Sequence, residues 1–86
     1  MASMNELISE VTSLKHSSEE LSEILAYAGS NLQDNMRVIA SIVAGSRTGM
    51  EAVSSLGIAS KSILDSAASI KTLGRTCDDC VSQLSK

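Results

Sequence analysis

Written in sevens from Met4, the chain repeats apolar residues at two positions of each heptad. The first, a, runs Met4, Val11, Ser18, Leu25, Leu32, Ile39, Ser46, Val53, Ser60, Ala67, Gly74 and Val81; the fourth, d, runs Leu7, Leu14, Leu21, Ala28, Asn35, Ile42, Gly49, Leu56, Ile63, Ile70, Cys77 and Leu84. Alternating steps of three and four put one apolar stripe along a helix and predict left-handed, coiled-coil-like packing. The stripe fades at Ser46 and Gly49, where the chain carries both a stop and a start signal. Gly45 suits the left-handed conformation that ends a helix. Thr48-Gly49-Met50-Glu51 reads as a capping box, with the threonine oxygen accepting a backbone N–H and Glu51 reaching back. Ser3-Met4-Asn5-Glu6 is a matching box at the other end.

These signals predict helices over about 4–44 and about 49–84, joined by a turn near 45–48, within one domain spanning 1–86. The fold class expected is all-α, an antiparallel helical hairpin. Because the heptad phase runs unbroken through the turn, one continuous helix is the rival, with Gly45 and Gly49 each costing about 1 kcal/mol against alanine. Gly29-Ser30-Asn31 and Gly74-Arg75-Thr76 are further points where a helix would kink or end.

Composition supports helices and removes most alternatives. The 86 residues are 43% hydrophobic yet include no Pro, Trp or Phe, and Tyr27 is the single aromatic. Leu, Ile, Val, Met and Ala must therefore do all the packing, which disfavours a compact β fold or a deep ligand pocket. A net charge of −3 leaves no basic footprint for nucleic acid, and there are no aromatics for base stacking. The longest apolar run, Val38 to Gly45, is far too short to cross a bilayer, so no integral membrane segment is expected. Met1-Ala2-Ser3-Met4-Asn5-Glu6 lacks the basic and apolar regions of a secretory signal. The expected location is the cytoplasm, with any export by a route that needs no cleavable signal peptide.

Charge divides between the halves. Residues 1–44 hold Glu6, Glu10, Glu19, Glu20, Glu23 and Asp34 against Lys15 and Arg37, whereas residues 45–86 are net basic by one. Folding the second half back brings Lys61, Lys71 and Arg75 alongside an acidic helix. Ser60, Ala67 and Gly74 form a column of small side chains that admits another helix closely, either the first helix of the same hairpin or a helix from another chain. A two-helix hairpin has a single seam and leaves apolar residues such as Ile8, Ile24, Met36, Ile58 and Leu64 beside the stripe, so a partner chain is expected, identical or different. The expected interface takes Leu14, Leu21, Leu25, Leu32, Ile39 and Ile42 from the first helix. From the second it takes Val53, Leu56, Ile63, Ala67 and Ile70. Ser18 and Asn35 interrupt the stripe with polar groups that either fix partner choice or face solvent.

Reactive chemistry is sparse. Cys77-Asp78-Asp79-Cys80 puts two thiols on one helix face, where they suit a metal, a redox disulfide or an interface. A structural zinc needs four ligands; only Asp78, Asp79 and His16 are obvious additions, and His16 falls at an outward position. A thioredoxin-like redox role needs a βαβ context that this pattern lacks. Cys77 is therefore read as a small core residue with Cys80 on a partly exposed flank, and no metal or cofactor is expected. With one His, no Ser–His–acid cluster and no phosphate-binding loop, the chain is not expected to be an enzyme. Glu19, Glu20 and Glu23 read as a solvated acidic face.

Two long helices with a central turn at Val43-Ala44-Gly45 make the chain resemble the WXG-type small helical proteins of type VII secretion and the helical partners of LXG toxins. In that family the turn carries Trp-x-Gly; here Val43 stands in the place of the Trp, and Gly45 is kept. The turn group quoted for this resemblance and for the caps is Val43, Gly45, Thr48 and Glu51. The family's export feature, a C-terminal aromatic followed four positions later by an acid, has no counterpart, since no aromatic follows Tyr27; Ile70 to Asp79 offers acids alone. The resemblance thus implies a subunit without its own export signal. Such a subunit pairs with a second small helical protein or with the helical N-terminal region of a toxin, as a targeting factor or chaperone. The alternative is a self-assembling, homo-oligomeric coiled coil.

Overall fold

The structure, a computed structural model, describes residues 3–86. Two helices, α1 (Met4–Ile42) and α2 (Arg47–Leu84), pack against one another as an antiparallel hairpin. Their 39 and 38 residues at about 1.5 Å per residue account for the long dimension of 62 Å in a body only 20 and 14 Å across. Both helices run through their internal glycines, so neither Gly29 nor Gly74 ends an element.

Ser3 caps α1 as its sequence indicates, its Oγ accepting from the Glu6 N–H at 3.1 Å. The turn is built differently from the Thr48 box. Gly45 adopts φ +90°, a left-handed conformation that glycine reaches without a Cβ penalty. Ser46 follows in an extended conformation and becomes the cap, its Oγ accepting from the Gly49 N–H at 3.1 Å. Helix α2 therefore begins at Arg47, and Thr48 already lies in its first turn. Glu51 does not reach back to a cap; its carboxylate lies 3.6 Å from Arg47, one helical turn earlier. Val43 closes α1 by donating its N–H to Ile39 and accepting from the Ser46 N–H. A serine placed directly after the reversing glycine meets the free N–H groups first, which leaves the threonine nothing to cap.

The seam between the helices is lined by small residues. Ser18, Ser22 and Gly29 of α1 meet Ser60, Ala67, Gly74 and Cys77 of α2, and these are the buried positions of the hairpin. The small-residue column Ser60, Ala67 and Gly74 is thus filled by the hairpin's own first helix, with Ser60 1% exposed. Each buried serine donates its hydroxyl to a carbonyl of its own helix: Ser18 to Leu14, Ser22 to Glu19 and Ser60 to Gly57. No buried side-chain oxygen or nitrogen among the described residues lacks a partner. Asn35, by contrast, faces solvent.

Small-on-small packing also decides which stripe of α1 is used. In α2 the seam follows the a and d positions, through Val53, Leu56, Ser60, Ile63, Ala67 and Ile70. In α1 it follows a and e: Ile8, Lys15, Ser22, Gly29, Met36 and Val43 stand beside Val11, Ser18, Leu25, Leu32 and Ile39, while Leu7, Leu14, Leu21 and Ile42 at d are exposed. The reason is room. The Leu64 side chain fills the space that Gly29 leaves, where an added Cβ would lie 2.7 Å from it, and Ser22 is buried two turns earlier on the same edge. The leucines at d are too bulky for that gap.

The glycines separate by what surrounds them. A Cβ on Gly74 would meet Ser18, Glu19 and the Lys15 carbonyl at 3.7–3.9 Å, ordinary contact. Gly74→Ala should therefore gain helix propensity at little steric expense and raise the melting temperature by about 4–8 °C for about 1 kcal/mol. A Cβ on Gly49 would lie 2.5 Å from the Val43 Cβ, which the backbone holds in place. Gly49→Ala is expected to lower the melting temperature. Opposite signs in thermal circular dichroism check the seam and the turn together, and equal signs would contradict this packing.

Candidate functional site

The hairpin has two unlike long sides. On one, α1 presents Glu19, Ala26 and Glu23 next to Leu64, Ala68 and Lys71 of α2, lining a shallow groove. Its continuation toward the chain ends is lined by Lys15, Glu19, Lys71, Gly74, Arg75 and Asp78. Lys15 donates to Asp78 at 2.9 Å, with Glu19 at 3.9 Å. The hydrogen bond from Lys15 to Asp78 and the charge of that carboxylate hold the lysine above its ordinary pKa of 10.5. Since this pKa is raised, the stabilisation is complete below the ordinary lysine value and is lost only as pH rises through the folded one. The pair is solvent-exposed, so it sets register more than stability.

The opposite side is formed by the d and g positions of α1 and the c and g positions of α2. Of the seven basic and ten acidic residues of the chain, only Glu10 falls at these positions. On α1 the exposed residues there include Leu7, Leu14, Leu21, Ile24, Val38 and Ile42, with Leu21 46% and Ile42 74% exposed. On α2 they are mostly small: Ala52, Ser55, Ala59, Ser62, Ser66 and Ser69, all exposed, with Leu73 and Cys80 further on. A strip free of charge except for Glu10 thus runs most of the length of the hairpin, with a ridge of large apolar side chains along α1, interrupted by Ser17, Asn31 and Asn35, and a trough of mostly small, hydroxyl-rich side chains along α2.

The residues expected at an interface divide accordingly. Leu14, Leu21 and Ile42 lie on the open strip; Leu25, Leu32, Ile39, Val53, Leu56, Ile63 and Ile70 are half-buried along the seam. Ala67 is buried within it, 6% exposed. Ile24, expected to be left open beside the stripe, is 64% exposed on this strip; reading one partner-facing stripe missed that Leu7, Val38 and Leu73 belong with it. The signal that finds them is the absence of charge at α1 g and at α2 c and g.

Cys77 is buried in the seam and Cys80 is exposed, both as free thiols. Asp78 between them is engaged by Lys15. His16 points outward, with Glu19 at 4.0 Å as its nearest acid. Among the described residues no group of three or more His, Cys, Asp or Glu is gathered where it could hold a metal ion. No helix there is long and apolar enough to cross a membrane.

The body is extended for its mass. It exposes 6093 Å² with a radius of gyration of 19.1 Å; a compact protein of 9.0 kDa would expose about 4900 Å² with a radius near about 12 Å. Among the described residues the only buried hydrophobic ones are Ala67 and Cys77. Compared with known protein families, with curated proteins and with solved structures, the chain shows no significant match.

Proposed function

We propose that this chain is a non-catalytic interaction protein whose uncharged strip docks on the helices of another protein. In the fuller form of the reading it is a targeting factor or chaperone for a cargo of a type VII-like secretion route. The observation that carries docking is the strip itself. Leu7, Leu14, Leu21, Ile24 and Ile42 stand exposed on one side while the seam buries only small residues. A hairpin that leaves Leu7, Leu14 and Leu21 exposed and only half-buries Leu25, Leu32 and Leu56 takes only part of the available apolar burial from its own seam. The leucines find their burial against another helix. Partners with long apolar helices fit this strip because it carries no charge but Glu10 and is about as long as a helix of 40 residues.

The secretion form adds the resemblance in length, helix pairing and the glycine of the turn to WXG-type proteins and LXG-toxin partners. The lack of an aromatic after Tyr27 makes a cargo-accompanying role the fitting one within it. Coexpression with the products of adjacent reading frames tests both levels. The expected result is that a helical protein, or the helical N-terminal region of a toxin, copurifies with the wild type and is lost from the Leu14→Asp/Leu21→Asp double variant. Copurification of the double variant at wild-type yield would reject the strip. A partner of unrelated type would reject the secretion reading alone.

A further inference from the structure

We infer that, when no other partner is present, the uncharged strip is covered by a second copy of this chain, in a four-helix bundle with both turns at the same end. The inference rests on the reading that this strip docks helices, and adds the occupant and its orientation.

Three observations select a second copy. The first is area. The hairpin exposes about 1200 Å² more than a compact protein of its mass, so two copies carry about 2400 Å² between them, enough for the about 1200–2000 Å² that stable interfaces bury. The second is charge. Two identical surfaces repel wherever they carry net charge, but here the chain's −3 lies almost wholly off the strip, and Glu10 stands near one end. The third is shape. A two-fold interface must be complementary to itself, and most of this strip is: Leu7, Leu14, Leu21, Ile24, Val38 and Ile42 on α1 against Ala52, Ser55, Ala59, Ser62, Ser66 and Ser69 on α2, with Leu73 the one large residue of the trough.

Shape also sets the orientation. A two-fold axis parallel to the helices lays the α1 ridge of each copy into the α2 trough of the other, twice. An axis across the helices would instead stack ridge on ridge and trough on trough. In the favoured arrangement every neighbouring helix pair is antiparallel. The levels follow the hairpin's own register, in which Gly74 faces Ser18 and Gly57 faces Met36. Leu21 of one copy therefore sits level with the Leu73 region of the other, and Ile42 level with Ala52.

The test uses the purified full chain. Sedimentation equilibrium at about 100 μM is expected to give twice the 9.0 kDa chain mass; a monomer, or any species larger than a dimer, overturns the inference, and a monomer leaves the hetero-partner reading standing. Ala59 is exposed in the trough, so Ala59→Arg fills it without touching the seam and is expected to give a monomer of unchanged helicity. Ala68→Arg on the charged side should remain dimeric. A dimer that survives Ala59→Arg, or is broken equally by Ala68→Arg, overturns the placement. For orientation, Cys77→Ala/Cys80→Ser/Arg47→Cys carries one spin label per chain beside the turn. Inter-label distances of about 20–30 Å, set by helix diameters, are expected. Distances near the 62 Å length of the hairpin would place the turns at opposite ends and reject the ridge-in-trough packing.

Discussion

Ser60→Leu should strongly destabilise the hairpin, whereas Ser60→Ala should leave it intact. Ser60 has the most deeply buried side chain among the described residues, 1% exposed, and by the register that pairs Gly57 with Met36 it lies opposite Leu32 and Gln33. Its hydroxyl donates to the Gly57 carbonyl of its own helix at 3.0 Å, so removing the oxygen strands no group across the seam. Alanine also has the better helix propensity, and the net change expected is within about 1 kcal/mol. Leucine adds three carbons at a position that is 1% exposed. Overpacking usually costs about 1–3 kcal/mol in cores that can shift, and these two helices can make room only by separating, which opens the seam above and below. Against the about 4–13 kcal/mol expected for a chain of this length, a loss near the top of that range removes much of the stability. The melting temperature should fall by more than about 10 °C. A Ser60→Leu variant that melts with the wild type would mean the seam is not tight there.

The same contrast explains how far the fold could be read from the residues. The hairpin, its turn region and its all-helical class follow from the heptads, from Gly45 and from the absence of proline and nearly all aromatics. In α2 the a and d positions are the seam. In α1 they are not, because its apolar residues cover a stripe wider than one seam needs: Val11, Leu25 and Leu32 at a, Leu7, Leu14 and Leu21 at d, Ile8 and Met36 at e. Periodicity locates such a stripe but does not choose the edge that turns inward. That choice belongs to the room between the helices, where Gly29 leaves space for the Leu64 side chain and the small Ser22 and Ala67 are both buried. The cap had the same character. Thr48 and Glu51 have the spacing of a capping box, but Gly45 reverses the chain one residue before a serine, and the nearer hydroxyl takes the free N–H groups. The uncharged strip was legible in principle, since it is written as an absence of charge at four sets of heptad positions. It emerges only once the seam has assigned those positions to one side.

Leu25→Asp and Leu21→Asp, four residues apart on one helix, should fail in different ways. Leu25 is half-buried against α2, so a carboxylate there gives up about 1–2 kcal/mol of apolar burial and must also be partly desolvated beside the small-residue seam. The hairpin itself should lose its cooperative melt at neutral pH. Ile63→Asp, from the other wall of the seam, should do the same. Leu21 already meets solvent over nearly half of its surface, 46%, and Leu21→Asp should keep the far-UV helical signal and melt within a few degrees of the wild type when both are dilute. Its effect belongs to association. A leucine buried on docking contributes about 1.5–3 kcal/mol, and a charge trapped in an apolar contact adds a penalty of similar size, so complex formation should weaken by at least about 100-fold. Circular dichroism reads the first effect and sedimentation or copurification the second. If Leu21→Asp unfolds the dilute chain as completely as Leu25→Asp, the d positions of α1 are part of the hairpin's own core and the strip is not a docking surface. If the two effects separate, the single chain carries its fold on a seam of small residues flanked by half-buried Leu25, Leu32, Leu56 and Ile63, and the exposed Leu7, Leu14 and Leu21 are there for whatever lies on the other side.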